Sequence, residues 1–411
     1  MTIRARALYL CYFGLREPLV QTQVIPYLRE LAAGGIGMSL LTFEPEMKTR
    51  WTAESIASWR QRLREAGIEW HLLPYHKRPS LPATLYDVVV GGWRAAAIAR
   101  REKINVFHGR SHVGAAIGAL ARRLSGGKLI FDVRGFLADE YADSGNWRAN
   151  GLRYRLTKMA ERWLYRAADG VVVLTEKARA IVLSEGAEGR PIEVIPCCVD
   201  PQRFAVVSDR DAIREELGLT NRMVNRTVFV YAGVLGGYYL IDETAELFAA
   251  AREDDPQVFA LVLTQSAPAA MTSALVRLGF SSSDFRVLQV QPDDVPKYLR
   301  AADAAVALVR PSYARQSMSP TKFAEYLAAG LPVIATSGIG DLDTEIEEGR
   351  VGVLLKRFDR AAYLQAVQAI NELRRDPELA ARCRAEARKR YDLQTVGGAR
   401  YRRLYDKLLL S

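Results

Sequence analysis

Short, nearly continuous apolar runs recur along the chain. Over the first 200 residues they read ALYLCYF, GMSLLTF, IEWHLLPY, INVFHG, KLIFDVRG, GVVVLT and IEVIP, and helix-like amphipathic segments or loops separate most of them. A strand that is apolar throughout, rather than alternating, belongs to a parallel sheet buried on both faces by the intervening helices. The pattern restarts with TVFVYAGVL, VFALVLTQ, FRVLQVQ, AAVALVR, PVIAT and VGVLLK. Two doubly wound, Rossmann-like α/β domains in series are therefore predicted, spanning 1–205 and 206–390. The boundary is placed between CCVDPQRF and NRTVFV, where polar and charged residues interrupt the alternation. A terminal helix over 391–411, containing ARYRRLYDKLLL, is expected to pack back on the first domain. Ligands of such sheets sit beyond the carboxyl ends of the strands, so two domains facing each other would enclose a cleft.

Composition agrees with a soluble globular protein too long for one core: 411 residues, 49% hydrophobic and 25% charged. Charge is distributed unevenly. Residues 1–200 carry 29 Lys and Arg against 20 Asp and Glu, whereas the remainder carries 28 against 27, within a net charge of +10. A basic first half implies an anionic partner there, either a membrane surface, nucleic acid or an acidic substrate. No RNP-type aromatic pattern, zinc-finger spacing or basic zipper occurs, so no nucleic-acid partner is assigned. Four cysteines without CxxC spacing fit a reducing compartment. The opening MTIRARALYLCYFG is expected to be a buried first strand rather than a signal peptide, and nothing approaches a membrane span. A cytoplasmic location is expected, peripheral to the membrane if NWRANGLRYRLTKMAERWLYRAADG presents an interfacial face. The plainer account of that segment is a helix packed on its own sheet with a solvated basic side.

Candidate chemistry concentrates in SMSPTKFAEYLAAGLPVIAT, residues 317–336. Ser319 is expected to cap a helix that Pro320 opens and Gly330 ends. Lys322 would then occupy the first turn, where the helix dipole disfavours a cation, unless an anion binds the free N–H groups there. Arg310 and Arg315 precede it in the same loop. Glu325, one turn further along, is placed to accept hydrogen bonds from two hydroxyls of a ribose attached to a diphosphate. An ordinary surface ion pair is the competing account of Lys322 and Glu325. An amine buried against other protein atoms, or facing bulk solvent away from the cleft, would remove the foundation of the sugar-transfer reading.

The stretch resembles the donor-binding segment of retaining family-4 glycosyltransferases with the GT-B fold. Further matches are GLREPLVQTQVIPYLRELAAGG, FDVRGFLADE, VVVLTEKA, VIPCCVDPQRF, DVPKYLRAADAAVALVRPS and GVLL, most like members that act in bacterial polysaccharide or glycolipid assembly. The resemblance implies a nucleotide diphosphate sugar held mainly by the second domain and a glycan or lipid-linked hydroxyl acceptor held mainly by the first. Lys322 would bind the diphosphate, Glu325 the ribose, and the amides around Ser319 to Thr321 the phosphate oxygens. No cofactor, metal or side-chain nucleophile is implied. Two positions depart from the family pattern. Ser317 stands where relatives carry a Glu that contacts the sugar. After Gly233, Val234 and Tyr238 or Tyr239 stand where relatives carry a phosphate-gripping Arg and Lys; Arg310 is expected to compensate.

Gly14, after the first strand, would let the donor approach the backbone, or serve only a strand-to-helix turn. His108, Arg110 and His112 at one strand end, with Asp132 and Arg134 at the next, are expected to line the acceptor side, unless they pair structurally. The DLD at 341–343 opens an acidic helix and is assigned no metal. A sugar-nucleotide epimerase and a catalytically weak nucleotide-sugar-binding partner remain alternatives to transfer. Nucleobase, sugar, linkage and oligomeric state are not legible.

Overall fold

The computed structural model describes residues 5–205, 209–219 and 226–410. The chain divides into two compact units, Met1–Pro196 with Leu393–Ser411, and Cys197–Asp392. Each of the thirteen apolar runs contains a strand.

In the first unit β1 (Ala5–Cys11), β2 (Ile36–Glu44), β3 (Ile68–Pro74), β4 (Val106–Arg110), β5 (Lys128–Asp132), β6 (Gly170–Val173) and β7 (Ile192–Val194) form one parallel sheet of order β3-β2-β1-β4-β5-β6-β7. Its longer helices are α1 (Ile25–Ala33), α2 (Ala53–Glu65), α3 (Ser80–Glu102), α4 (Ser111–Ser125) and α5 (Leu152–Ala167). Leu8, Leu10, Phe107 and Phe131 of the sheet meet Ala95 and Ala99 of α3, Ile117 of α4 and Leu164 of α5 in one core, so these three helices cover the same face.

The second unit holds β8 (Val228–Ala232), β9 (Phe259–Thr264), β10 (Phe285–Gln289), β11 (Ala304–Ala307), β12 (Val333–Thr336) and β13 (Gly352–Leu355), in the order β10-β9-β8-β11-β12-β13, again all parallel. Its longer helices are α6 (Ile241–Asp254), α7 (Ala269–Arg277), α8 (Thr321–Ala329), α9 (Leu342–Gly349), α10 (Arg360–Leu373) and α11 (Leu379–Tyr391). Separate apolar clusters cover its two faces, which explains strands without polar alternation. Strand order reverses between β8 and β11, the place where a doubly wound sheet opens a crevice for ligand.

The boundary differs from the one expected at 205/206. Val199 and Phe204 pack in the second core, and the Val199 amide donates to the Tyr391 carbonyl at 2.8 Å. Apolar anchoring, not the later run of charges, sets the division at Pro196. The terminal helix Ala399–Leu410 packs within the first unit, where Arg400 donates to the Val194 carbonyl at 2.6 Å and Lys407 pairs with Glu193 at 3.0 Å. Among the described residues no helix is long and apolar enough to cross a membrane.

Candidate functional site

At the β8–β11 switch point the chain leaves β8 through Gly233, whose φ of 142° is one L side chains rarely adopt. A Cβ on Gly233 would also lie 2.7 Å from the Lys322 Nζ. Glycine is therefore required twice, by the backbone angle and by the close approach of the amine.

Beyond β11 the loop from 308 to 320 leads into α8. Gly330, at φ 84°, ends the helix by donating its amide back to the Tyr326 and Leu327 carbonyls. Ser319 does not cap the helix. The residue preceding its first turn is Pro320, with no side-chain cap, and the Ser319 hydroxyl instead accepts from the Cys197 amide at 3.1 Å. That tertiary bond ties the segment opening the second unit to the start of α8. The first-turn N–H groups consequently lack a side-chain acceptor, the arrangement that favours a bound anion.

Lys322 is buried, at 6% exposed, and its Nζ has no hydrogen-bond partner. It lies 4.0 Å from the Tyr231 ring centre and 3.6 Å from that of Tyr239. The amine thus packs against two aromatic faces rather than standing open to an anion, the placement that counts against a phosphate contact in this conformation. Burial pushes its proton affinity well below that of an ordinary lysine, opposed only by Glu325. Glu325 is partly buried and pushed up to about 7 by desolvation, opposed by Arg203 and Lys322. Two ionisable groups held one turn apart, each biased toward neutrality, form an arrangement that an incoming dianion or hydroxyl pair would rebalance.

Arg310 is exposed at the start of the loop, and its amide donates to the Tyr238 carbonyl at 2.9 Å. The Arg315 guanidinium stacks 4.1 Å from the Tyr238 ring. Ser317, buried, donates its hydroxyl to the Ala314 carbonyl at 2.8 Å. Thr321 is the first residue of α8 and is partly buried. Lys322, Glu325, Gly233 and the 317–321 turn therefore come together. Tyr231 and Tyr239, which enclose the amine, were not singled out as its partners from the sequence; the paired tyrosines after GVLGG were the available signal.

The first-unit candidates form a different structure. A Cβ on Gly14 would lie 2.8 Å from Pro45 Cδ and 3.0 Å from Glu44 Oε2, so close packing alone requires this glycine. Register places Tyr9 beside His108, and Arg110 between Cys11 and Asp132. Asp132, fully buried, accepts from Tyr9 at 3.2 Å, Tyr401 at 3.3 Å and Arg134 at 3.4 Å, and lies 3.9 Å from Arg110. His108 Nδ1 meets the Tyr405 hydroxyl at 2.9 Å, and burial lowers its proton affinity. The neighbouring cations hold the Asp132 carboxyl well below the usual carboxylate range against desolvation. Through Tyr405 and Tyr401, His108 and Asp132 anchor the terminal helix to the sheet. His112 pairs with the buried Glu161 at 3.1 Å.

Among the described residues no group of three or more His, Cys, Asp or Glu side chains is arranged to hold a metal. Asp343 accepts from the Ser337 hydroxyl and, at 2.8 Å, from the Gly338 amide, so it shapes the loop after β12.

Two doubly wound units in series, the second with a glycine turn and a helix start at its switch point, have the GT-B architecture. The chain belongs to the family-4 GT-B glycosyltransferases: residues 20–198 match the family profile described as Glycosyl transferase 4-like domain, and residues 226–372 the one described as Glycosyl transferases group 1. A D-inositol 3-phosphate glycosyltransferase of Geodermatophilus obscurus is 30% identical over 53% of this chain and 48% of its own length. The matched stretch thus spans about half of that relative. A protein of the same name from Streptomyces avermitilis is 25% identical over 89% of this chain and 77% of its own. Anabaena HepE, solved with UDP and glucose, superposes with a TM-score of 0.70 at 15% identity, covering 98% of this chain and 100% of that one.

Proposed function

We propose that the protein transfers a sugar from a nucleoside diphosphate sugar to a hydroxyl acceptor with retention of anomeric configuration, in polysaccharide or glycolipid assembly. The observation that carries the site assignment is the uncapped start of α8 at the switch point, beside the Gly233 turn, with Lys322 in its first turn. The UDP in Anabaena HepE supports a nucleotide donor for a chain of this fold.

In this reading the diphosphate displaces the Tyr239 ring from above the amine, and Lys322 takes up a proton against the new negative charge. Lys322, the amides of Ser319 and Thr321 and Arg310 stabilise charge developing on the leaving diphosphate, while Glu325 accepts from the ribose hydroxyls. Charge neutralisation by an amine and a helix start requires no divalent ion, so activity is expected to persist in a chelator. The acceptor is held by the first unit, whose basic balance suits an acceptor presented at the cytoplasmic face of an anionic membrane.

Calorimetry with a panel of nucleoside diphosphates and their sugars tests the donor reading. Heat from at least one, abolished in Lys322→Ala, is expected; no binding to any would leave a scaffold role. Incubation with donor alone separates transfer from epimerisation, since an isomerised sugar nucleotide appearing without acceptor would mark an epimerase.

A further inference from the structure

In α5, Leu152, Leu156, Met159 and Trp163 recur at spacings of four, three and four, and at about 100° per residue they fall within roughly 60° around the axis. All four are exposed, Leu152 at 75% and Met159 at 64%. Lys158, Glu161, Leu164 and Tyr165, on the opposite side, are buried. The stripe is therefore the solvent face of a helix already packed by its other face. Exposed Arg153 lies on one flank, and Arg155, Arg162 and Arg166 on the other.

A second stripe runs along α3, where Leu81, Leu85, Val89 and Trp93 recur every fourth residue and are exposed, Leu81 at 70% and Trp93 at 61%. Arg94, Arg100 and Arg101 are exposed on the same helix. Helix α4 touches both α3 and α5, so the stripes belong to one helical layer on one face of the sheet. Monomeric proteins rarely leave two such apolar ridges on one face in water.

Carboxylates on these helices are withdrawn from that face. Asp87 is buried and bonds His76 at 2.6 Å and Tyr12 at 2.7 Å. Glu102 pairs with His71 at 3.1 Å and Arg101 at 2.6 Å, and Glu161 with His112 at 3.1 Å and Lys158 at 3.0 Å. Apolar ridges accompanied by arginine, on helices whose own carboxylates are buried or paired, match the chemistry of an anionic lipid surface: side chains enter the acyl boundary and guanidinium groups meet phosphates. A second copy of this chain fits less well, because a two-fold contact would set these arginines against their own images.

We infer that the outer faces of α3 and α5 are a docking surface for an anionic membrane. This deepens the membrane-side acceptor setting proposed above and rests on it for its purpose, but its test needs no donor. The full chain is sedimented at low ionic strength with phosphatidylcholine vesicles and with vesicles carrying roughly one-third phosphatidylglycerol. Co-sedimentation is expected with the anionic vesicles only, weakening as salt shortens the screening length. The pairs Leu156→Glu with Trp163→Glu, and Leu85→Glu with Trp93→Glu, alter exposed positions and should each reduce vesicle binding roughly tenfold or more. Val276→Glu, at an exposed apolar position of the second unit, should leave it unchanged. Donor binding measured on the same variants reports folding and keeps the transferase reading separate.

Failure of the wild-type chain to sediment would overturn both the surface and the membrane setting. Equal binding to neutral vesicles would overturn the anionic assignment. Wild-type-like binding by both helix variants would overturn this face alone. A wild-type dimer in sedimentation velocity that these variants dissolve, without vesicle binding, would assign the face to self-association instead.

Discussion

Replacing Lys322 with Met keeps an unbranched apolar stem and removes the amine. That amine lies between two tyrosine rings without a hydrogen-bond partner, and an unsatisfied buried polar group costs about 1–3 kcal/mol. Met should therefore stabilise the free protein by about 1 kcal/mol, and in a unit of this size that raises Tm by about 2–4 °C. With donor bound the sign reverses, because a charge-assisted contact worth about 1.5–3 kcal/mol is lost. Turnover should fall roughly 10- to 150-fold. Thermal unfolding without ligand and steady-state transfer with donor measure the two halves. Because burial holds the amine's proton affinity down, donor binding should also draw a proton from solution. Calorimetry in buffers of different ionisation enthalpy reads this uptake, and Lys322→Met should abolish it. A lower Tm with undiminished turnover would refute the reasoning, since it would make Lys322 a structural prop for the tyrosines.

Gly233→Ala combines an unfavourable φ with a Cβ 2.7 Å from the Lys322 Nζ, so donor affinity should drop at least tenfold, or about 1.4 kcal/mol, in a calorimetric titration. Glu325 carries a carboxyl raised from 4.5 to about 7 on folding, so between those values the folded state holds a proton that the unfolded chain releases. Its contribution is present below pH 4.5 and lost as pH rises through 7; Glu325→Gln should flatten stability over that window, and an unchanged urea midpoint difference between pH 5 and 8 would remove Glu325 as its source. Asp132→Asn strands Arg110 and Arg134 beside an uncharged amide inside the first unit, for an expected loss of about 3–5 kcal/mol by chemical denaturation, with donor binding intact wherever the variant stays folded.

The apolar runs determined the architecture. Residues buried on both faces of a parallel sheet must be apolar consecutively, so all thirteen strands among the described residues could be read without tertiary information, as could the glycine that ends α8. The types of residue at the switch point were also legible, because Lys322 in a first helical turn contradicts local electrostatics and invites a partner.

What surrounds those residues was decided by packing between segments far apart in sequence. Ser319 bonds the amide of Cys197 rather than its own helix, and Tyr239 folds over the Lys322 amine. His108 and Asp132, polar at strand ends and so attractive as acceptor contacts, are claimed by Tyr405 and Tyr401 from the terminal helix. A local pattern reports whether a position is polar or apolar. Which group satisfies a buried polar atom depends on the non-local neighbours that the fold brings within hydrogen-bond distance.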